Sequence, residues 1–437
     1  MTTLKRALGR WDLTAIGVNQ VIGGAIFIWP SQVAAQIGAW SPIGFVLMGI
    51  ATLAVALCFA EVGSRFDRTG GPYVYTRAAF GPFVAFEVGW MQWFTRAASQ
   101  ASVMAGIAVA LGYYWPAVTA GWPRAAVLVG ITSVLAWVNV RGIRQSAWVV
   151  NARTIGKLLP LALFIVVGLF FVQPARLTEL PPISISQVST AALLLIFIFG
   201  GFDVVGTPAG ESLDPRRHVP FALVTTILAV TVIMTLAQIV AQGVLADLAP
   251  HSTPIADAAA VFLGSAGALL IGAGSVLSMT GNNAGQVLSG SRMLFALAEH
   301  GELPGFFARI HPRFRTPANA VIFTSVVAVL LALSGSWAKL AVVSAVARLV
   351  TYAGVSAATL RLRAPGFAGT VPPAGFVAPL GPVVPVVAIA MSLGVAFGAT
   401  REQLVGGLGA LAVGAILYAV RGPDHRRQGD GGPPWRS

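Results

Sequence analysis

Charged side chains are scarce in this chain. Asp, Glu, Lys and Arg make up 10% of its 437 residues, while 56% are apolar and the mean hydropathy is +0.79. Composition of that kind cannot give a soluble domain of this size a water-compatible surface, but it suits a bundle of membrane spans. Cysteine is nearly absent. The single Cys58 excludes an intramolecular disulfide and lies in an apolar run, where its job is packing. No Gly-x-x-x-x-Gly-Lys-Ser/Thr run occurs, so the phosphate cradle of an ATP-driven pump is missing and transport would have to draw on gradients. The five histidines (His218, His251, His300, His311, His425) fall in loops or at span ends without metal-ligand spacing. No metal, no cofactor and no enzymatic activity are therefore expected. A cleavable signal peptide is not expected either, because Lys5, Arg6 and Arg10 lead straight into an apolar stretch too long for one.

Long apolar runs are what the chain has in abundance. Twelve candidate spans fall near 14–36, 42–66, 82–114, 124–140, 147–172, 188–212, 219–243, 258–297, 318–334, 338–361, 381–398 and 404–420. The third and eighth exceed the roughly 20 residues that cross a bilayer, and are expected to tilt or to continue as helix into water. Pro/Gly-rich and charged stretches such as 65–77 and 303–317 separate the spans. The tail from Arg421 onward, rich in Gly, Pro and charge, reads as disordered.

The net charge of +13 would suggest nucleic acid in a soluble protein, but its placement excludes that partner here. With a cytoplasmic N-terminus, twenty-one of the 28 basic residues fall in segments on the cytoplasmic side. Arg124, Arg176, Lys339 and Arg401 fall on the other side, and Arg96, Lys157 and Arg348 lie within spans. This is the positive-inside pattern, and one missed or false span would invert it downstream. Both termini are expected in the cytoplasm of a cell (plasma or inner) membrane protein whose surroundings are the lipid bilayer.

Two spans are interrupted. The first reads Gly17-Val-Asn-Gln-Val-Ile-Gly23-Gly24-Ala25-Ile-Phe-Ile-Trp-Pro30, the sixth Phe197-Ile-Phe-Gly200-Gly201-Phe202-Asp203-Val-Val-Gly206-Thr-Pro208-Ala-Gly-Glu211. Irregular backbone survives at membrane depth only where it is buried in protein or lines a wet cavity, and paired breaks point to a secondary transporter's substrate site. Amides and the positive dipole end of the half-helix at Gly23, Gly24 and Ala25 would bind a carboxylate. Carbonyls near Ile22, Phe197 and Gly200 would accept from an ammonium group. Gly201 completes the second break, and glycine at these places lets backbone approach ligand. Close helix packing is the competing explanation for any one of these glycines. The largely apolar surroundings lean toward a neutral amino acid.

Three long runs now bear on family. They are Glu61-Val-Gly-Ser-Arg65-Phe-Asp-Arg-Thr-Gly70-Gly71-Pro72-Tyr73-Val-Tyr75 continuing to Trp90, Gly201-Phe202-Asp203 with Glu211-Ser-Leu-Asp-Pro215-Arg-Arg-His-Val-Pro220, and Ser291-Arg292-Met-Leu-Phe-Ala-Leu-Ala-Glu-His-Gly301-Glu-Leu-Pro304 through Thr316-Pro317. Together they resemble the signature of the amino acid, polyamine and organocation (APC) transporter family. The resemblance implies an all-α polytopic fold of the LeuT type, with discontinuous first and sixth helices. Two inverted five-helix repeats would span 1–180 and 181–365, two further helices 366–420, and a cytoplasmic tail 421–437. It implies an amino acid as substrate and a gating aromatic about where Phe197 and Phe199 stand, although aromatics also fill membrane cores. Family members usually carry a further glycine where this chain has Ala25, so the pocket is expected to be tighter or differently bent there.

Lys157, in the fifth span, is the most pointed charge. Ionisable groups inside membranes are functional candidates, and protonation of an amine held out of water can be coupled to conformational change. The resemblance places Lys157 where sodium-coupled relatives of the fold hold sodium, which would make the proton the coupling ion and leave Ser275, Ser278 and Thr280 as hydrogen-bonding neighbours. The bland alternative is snorkelling to the headgroups. Arg96, Asp203 and Arg348 also need partners. Asp203 could pair with either arginine, as a gate or as plain structure. Glu61, Glu87 and Glu211 are expected to pair with arginine-rich loops.

Three functions follow: a proton-coupled symporter or exchanger of an amino acid, polyamine or other organic amine; an amino-acid sensor of transporter fold; or a channel. Paired breaks favour alternating access over a continuous pore, and a short tail leaves a sensor no signalling domain. Nothing in the sequence sets an oligomeric state.

Overall fold

The computed structural model describes residues 8–67, 70–142, 147–335 and 337–420, with backbone alone for 147–155 and 337. The Gly/Pro-rich tail from Arg421 and the N-terminal Lys5 and Arg6 lie outside the described residues. The chain is helical almost throughout. In order come α1 (Arg10–Val21), α2 (Ala25–Ile37), α3 (Ser41–Gly63), α4 (Pro72–Phe80), α5 (Pro82–Gly112), α6 (Gly121–Arg141), α7 (Ala147–Gly168) and the short α8 (Ala175–Thr178). Then follow α9 (Ile185–Ile198), α10 (Pro215–Val244), α11 (Pro254–Glu299), α12 (Ala318–Ser334), α13 (Trp337–Leu362), α14 (Val383–Phe397) and α15 (Arg401–Val420).

Among the described residues, seven helical stretches are long and apolar enough to cross a membrane, and three shorter apolar helices accompany them. The protein is an all-α, multi-pass membrane protein. At the centre lies α5, packed against α4, α11, α12, α13 and α15. Its polar residues Gln92, Thr95, Arg96, Ser99, Gln100 and Ser102 are all buried, so this helix meets protein rather than lipid on that face. Proline opens α4, α5, α10 and α11 near the first turn, where its missing N–H costs no helical hydrogen bond.

Three features depart from the sequence reading. The stretch after the second span, read as a loop, contains the nine-residue helix α4, whose Tyr73 and Tyr75 are buried. The long eighth segment is not one continuous helix: the backbone leaves helical geometry at Gly264 (φ 67, ψ −169), a left-handed position that glycine tolerates. Beyond the second break the chain does not resume an α-helix but forms 3-10 turns at Phe202–Gly206 and Ala209–Glu211, as Gly206 and Pro208 permit. The N-terminal Leu8 pairs with this region, its N–H donating to the Glu211 carbonyl (3.0 Å) and its carbonyl accepting from the Leu213 N–H (3.0 Å).

Candidate functional site

The two interruptions face each other. After α1 ends at Val21, Ile22 turns out of helical geometry (φ −75, ψ 63) and α2 starts at Ala25. After α9 ends at Ile198, Gly201 takes φ 119, which disfavours any side chain. A Cβ on Gly201 would stand only 3.1 Å from the Gln20 carbonyl oxygen, so the backbones of the two breaks are in near contact. On the other side α11 presses on the first break. A Cβ on Gly23 would overlap the Asn282 side chain, and one on Gly24 would overlap Met279. Close packing and an opened backbone are therefore both present at the same glycines.

Each half-helix end leaves backbone groups without helical partners. At the start of α2 the Gly23 N–H is used within the turn, donating to Val21 (2.8 Å), and Phe27 N–H donates to Gly24 (3.1 Å). The amide of Ala25 opens the helix, where the dipole favours an anion.

The carbonyls of the first break are occupied by side chains from two other helices. Lys157, buried on α7, donates from Nζ to the Asn19 carbonyl (2.7 Å) and to the Ile22 carbonyl (2.8 Å). Ser278 on α11 donates to Ile22 (3.3 Å) and, more closely, to Gly23. Asn282 donates from Nδ2 to the Gln20 carbonyl (2.7 Å). Thus Lys157 reaches inward to the break rather than outward. Of the other hydroxyls considered from sequence, Ser275 and Thr280 bond only their own helix, at Gly272 (2.7 Å) and Val276 (2.8 Å).

The second break carries the remaining charges. Arg96 on α5 forms a buried ion pair with Asp203, and Gln92 Nε2 donates to the same carboxylate (3.3 Å). Arg348 on α13 has no ion pair among the described residues. Its Nη2 donates to Ser99 Oγ (3.1 Å), its Nη1 to the Phe197 carbonyl (3.4 Å), and its Nε has no partner. Its head group fills the place where a side chain on Gly200 would begin.

The aromatics divide by role. Phe197 lies against Trp29 of α2 (ring centroids 5.2 Å apart) and under the Arg348 guanidinium (6.0 Å), bridging the two broken segments. Phe199 turns toward Phe45 on α3 (6.2 Å), and Phe202 packs on Phe59 and Tyr352. A tight crevice of about 10 Å³, room for no more than a water molecule, lies beside α2 between residues that include Phe27, Ile28, Tyr113 and Ser275.

Asn282, Gln20 and Tyr352 escaped the sequence reading. Asn282-Asn283 in an otherwise apolar helix was the available signal, since polar side chains at that depth seek partners. The acids at the bundle ends also divide. Glu61 pairs with Arg363 (2.5 Å) and lies 3.7 Å from Arg65, whereas Glu87 meets no arginine among the described residues: its oxygens are buried without a partner there, facing Gly414 of α15. Among the described residues, no group of three or more His, Cys, Asp or Glu side chains converges as a metal site.

A multi-pass helical bundle with two interrupted helices back to back is built as a membrane transporter. Residues 8–398 match the family model described as amino acid permease, and the chain belongs to that family. It is 31% identical to the serine/threonine exchanger SteT of Bacillus subtilis, over 89% of this chain and 90% of that protein. It is 29% identical to the branched-chain amino acid permease BcaP of the same organism (97% and 95%) and 26% identical to its methylthioribose transporter (97% and 95%).

Proposed function

We propose that this protein is a proton-coupled secondary transporter that carries an amino acid across the cell membrane by alternating access. One observation carries the reading: the interrupted backbones at Ile22–Gly24 and Phe199–Gly201 lie against each other inside the bundle. Unpaired amides at the start of α2 suit a carboxylate, and α9's terminal carbonyls suit an amine.

In this reading α1 and α2 count as one broken crossing, and α9 with its 3-10 continuation as another. The helices then make twelve crossings in two inverted five-helix repeats of the LeuT type, 1–180 and 181–365, followed by two more. Both termini are cytoplasmic, in keeping with the charge distribution. Lys157 carries the coupling proton: protonated, it holds the Asn19 and Ile22 carbonyls through charge-assisted hydrogen bonds; deprotonated, its two remaining N–H groups hold them more weakly and loosen the first break. Arg96 and Asp203 act as a gate at the second break. Exchange is a second mode, favoured by the likeness to a serine/threonine exchanger.

Uptake of radiolabelled amino acids into proteoliposomes, with and without an imposed pH gradient, tests the reading. Accumulation that rises when the outside is acidified supports it. No accumulation of any amino acid above protein-free vesicles would overturn it and leave a sensor.

A further inference from the structure

The interior around the two breaks holds more positive than negative charge. Arg96, Lys157 and Arg348 are each at most 3% exposed, and they surround the breaks from α5, α7 and α13. Asp203 is the one carboxylate among the described residues that lies with them; its Oδ2 takes both Arg96 and Gln92, while its Oδ1 is buried without a partner. The other buried acids are committed or distant: Glu61 to Arg363, Glu302 to Arg77, Glu87 against α15. Lys157 is satisfied by carbonyl dipoles at the first break. Arg348 is not satisfied in that way. Its bonds are to the Ser99 hydroxyl and, at 3.4 Å, the Phe197 carbonyl, with the Tyr352 phenol beside it; its Nε has no partner, and among the described residues no carboxylate forms an ion pair with it.

A guanidinium taken out of water without a counter-ion costs several kcal/mol, and a protein retains one where something arrives to pair with it. Arg348 stands at Gly200 with its Nη1 on the Phe197 carbonyl, inside the second break and within the substrate path proposed above. A neutral zwitterion brings no net charge to this surplus. A substrate with a second carboxylate does, and the planar fork of arginine binds a carboxylate through two parallel hydrogen bonds.

We infer that the transported amino acid is acidic, its α-carboxylate at the N-terminus of α2 and its side-chain carboxylate on Arg348. This rests on the transport reading above and replaces the neutral preference suggested by the apolar surroundings. On binding, Arg348 exchanges the Phe197 carbonyl for the ligand's carboxylate, which frees that carbonyl to accept from the substrate's ammonium group. The guanidinium thus holds the amine subsite until an acid draws it away.

The test compares acids with their isosteric amides on the full-length protein. Labelled L-glutamate, L-aspartate, L-glutamine and L-asparagine are followed into proteoliposomes, and the same four are assayed for binding by thermal shift in detergent. The acids are expected to be preferred by about tenfold or more, ~1.4 kcal/mol. Arg348→Gln should abolish that preference and Arg348→Lys should keep part of it. Amides or other neutral amino acids transported as well as the acids would overturn the inference and leave the transport reading standing. Binding of the acids without accumulation would do the reverse. An Arg348→Gln protein that still prefers the acids would remove the role from this residue. Should that variant not fold, the acid and amide pairs on the unaltered protein decide alone.

Discussion

Lys157 Nζ sits 2.8 Å from the Ile22 carbonyl oxygen and 2.7 Å from that of Asn19, so one ammonium group ties α7 to the point where α1 stops. An ammonium donates three hydrogen bonds and accepts none, whereas the neutral amine donates two and carries a lone pair. Loss of the proton therefore leaves enough donors for both carbonyls but removes the charge that strengthens each bond.

Lys157→Ala and Lys157→Gln are expected to abolish accumulation driven by a pH gradient while leaving substrate binding within about tenfold of the parent. Glutamine can still donate to Ile22 but cannot carry a proton. Uptake measured across pH, with binding by thermal shift, checks both parts. An unchanged pH profile in either variant would return the lysine to a structural role.

The Arg96 and Asp203 pair allows a separation of structure from mechanism. Removing one partner of a buried pair leaves an unpaired charge and costs about 3–5 kcal/mol, whereas replacing both with apolar residues is often neutral. Arg96→Met and Asp203→Leu singly should lower the thermal midpoint, and the double variant should regain most of it. If the pair is a gate, the double variant is folded and inactive; full transport by it would make the pair mere packing.

Much of the architecture could be read from the chain because membrane helices announce themselves by length and apolarity, and because glycine and proline mark where they stop. The break at Gly23-Gly24 was visible that way. The partners at the break were not. That Asn282 would donate to Gln20, or that Arg348 would reach Gly200 rather than Asp203, depends on how α11 and α13 rotate about their axes, which no local pattern specifies. Gly264 shows the converse limit: one glycine among several in a long apolar run (Gly264, Gly267, Gly272, Gly274) gives no sign that its φ alone will turn positive.

Gly24 and Gly201 should respond differently to substitution, although both sit at breaks. Gly24 has φ −104 and ψ −19, which any residue adopts, so its constraint is the neighbouring Met279 side chain. Overpacking costs about 1–3 kcal/mol and is relieved when the neighbour shrinks. Gly24→Val should impair uptake, and Met279→Ala in the same chain should restore part of it. Gly201→Ala meets backbone instead, at φ 119, and no neighbouring truncation should rescue it. Equal rescue at both sites, read as initial uptake rate, would contradict this distinction.

At the C-terminal end of α3, Glu61 organises the strap that follows α13. Its carboxylate accepts from Arg363 Nε (2.8 Å) and Nη2 (2.5 Å) and from the Ala378 N–H (2.8 Å), with Arg65 at 3.7 Å. The hydrogen bond to Glu61 holds Arg363 above its ordinary pKa, while burial pushes Arg65 below its own. Hydrogen bonds to charged groups contribute about 1.5–3 kcal/mol each. Glu61→Gln keeps the shape and loses the charge, and should let a protease cut residues 364–382 several times faster than in the parent. Arg363→Lys, which keeps the charge but loses the fork, should fall between them. Parent-like cleavage of the Glu61→Gln strap would show that the loop is held by its apolar contacts, such as the buried Val371 and Ala378, rather than by this carboxylate.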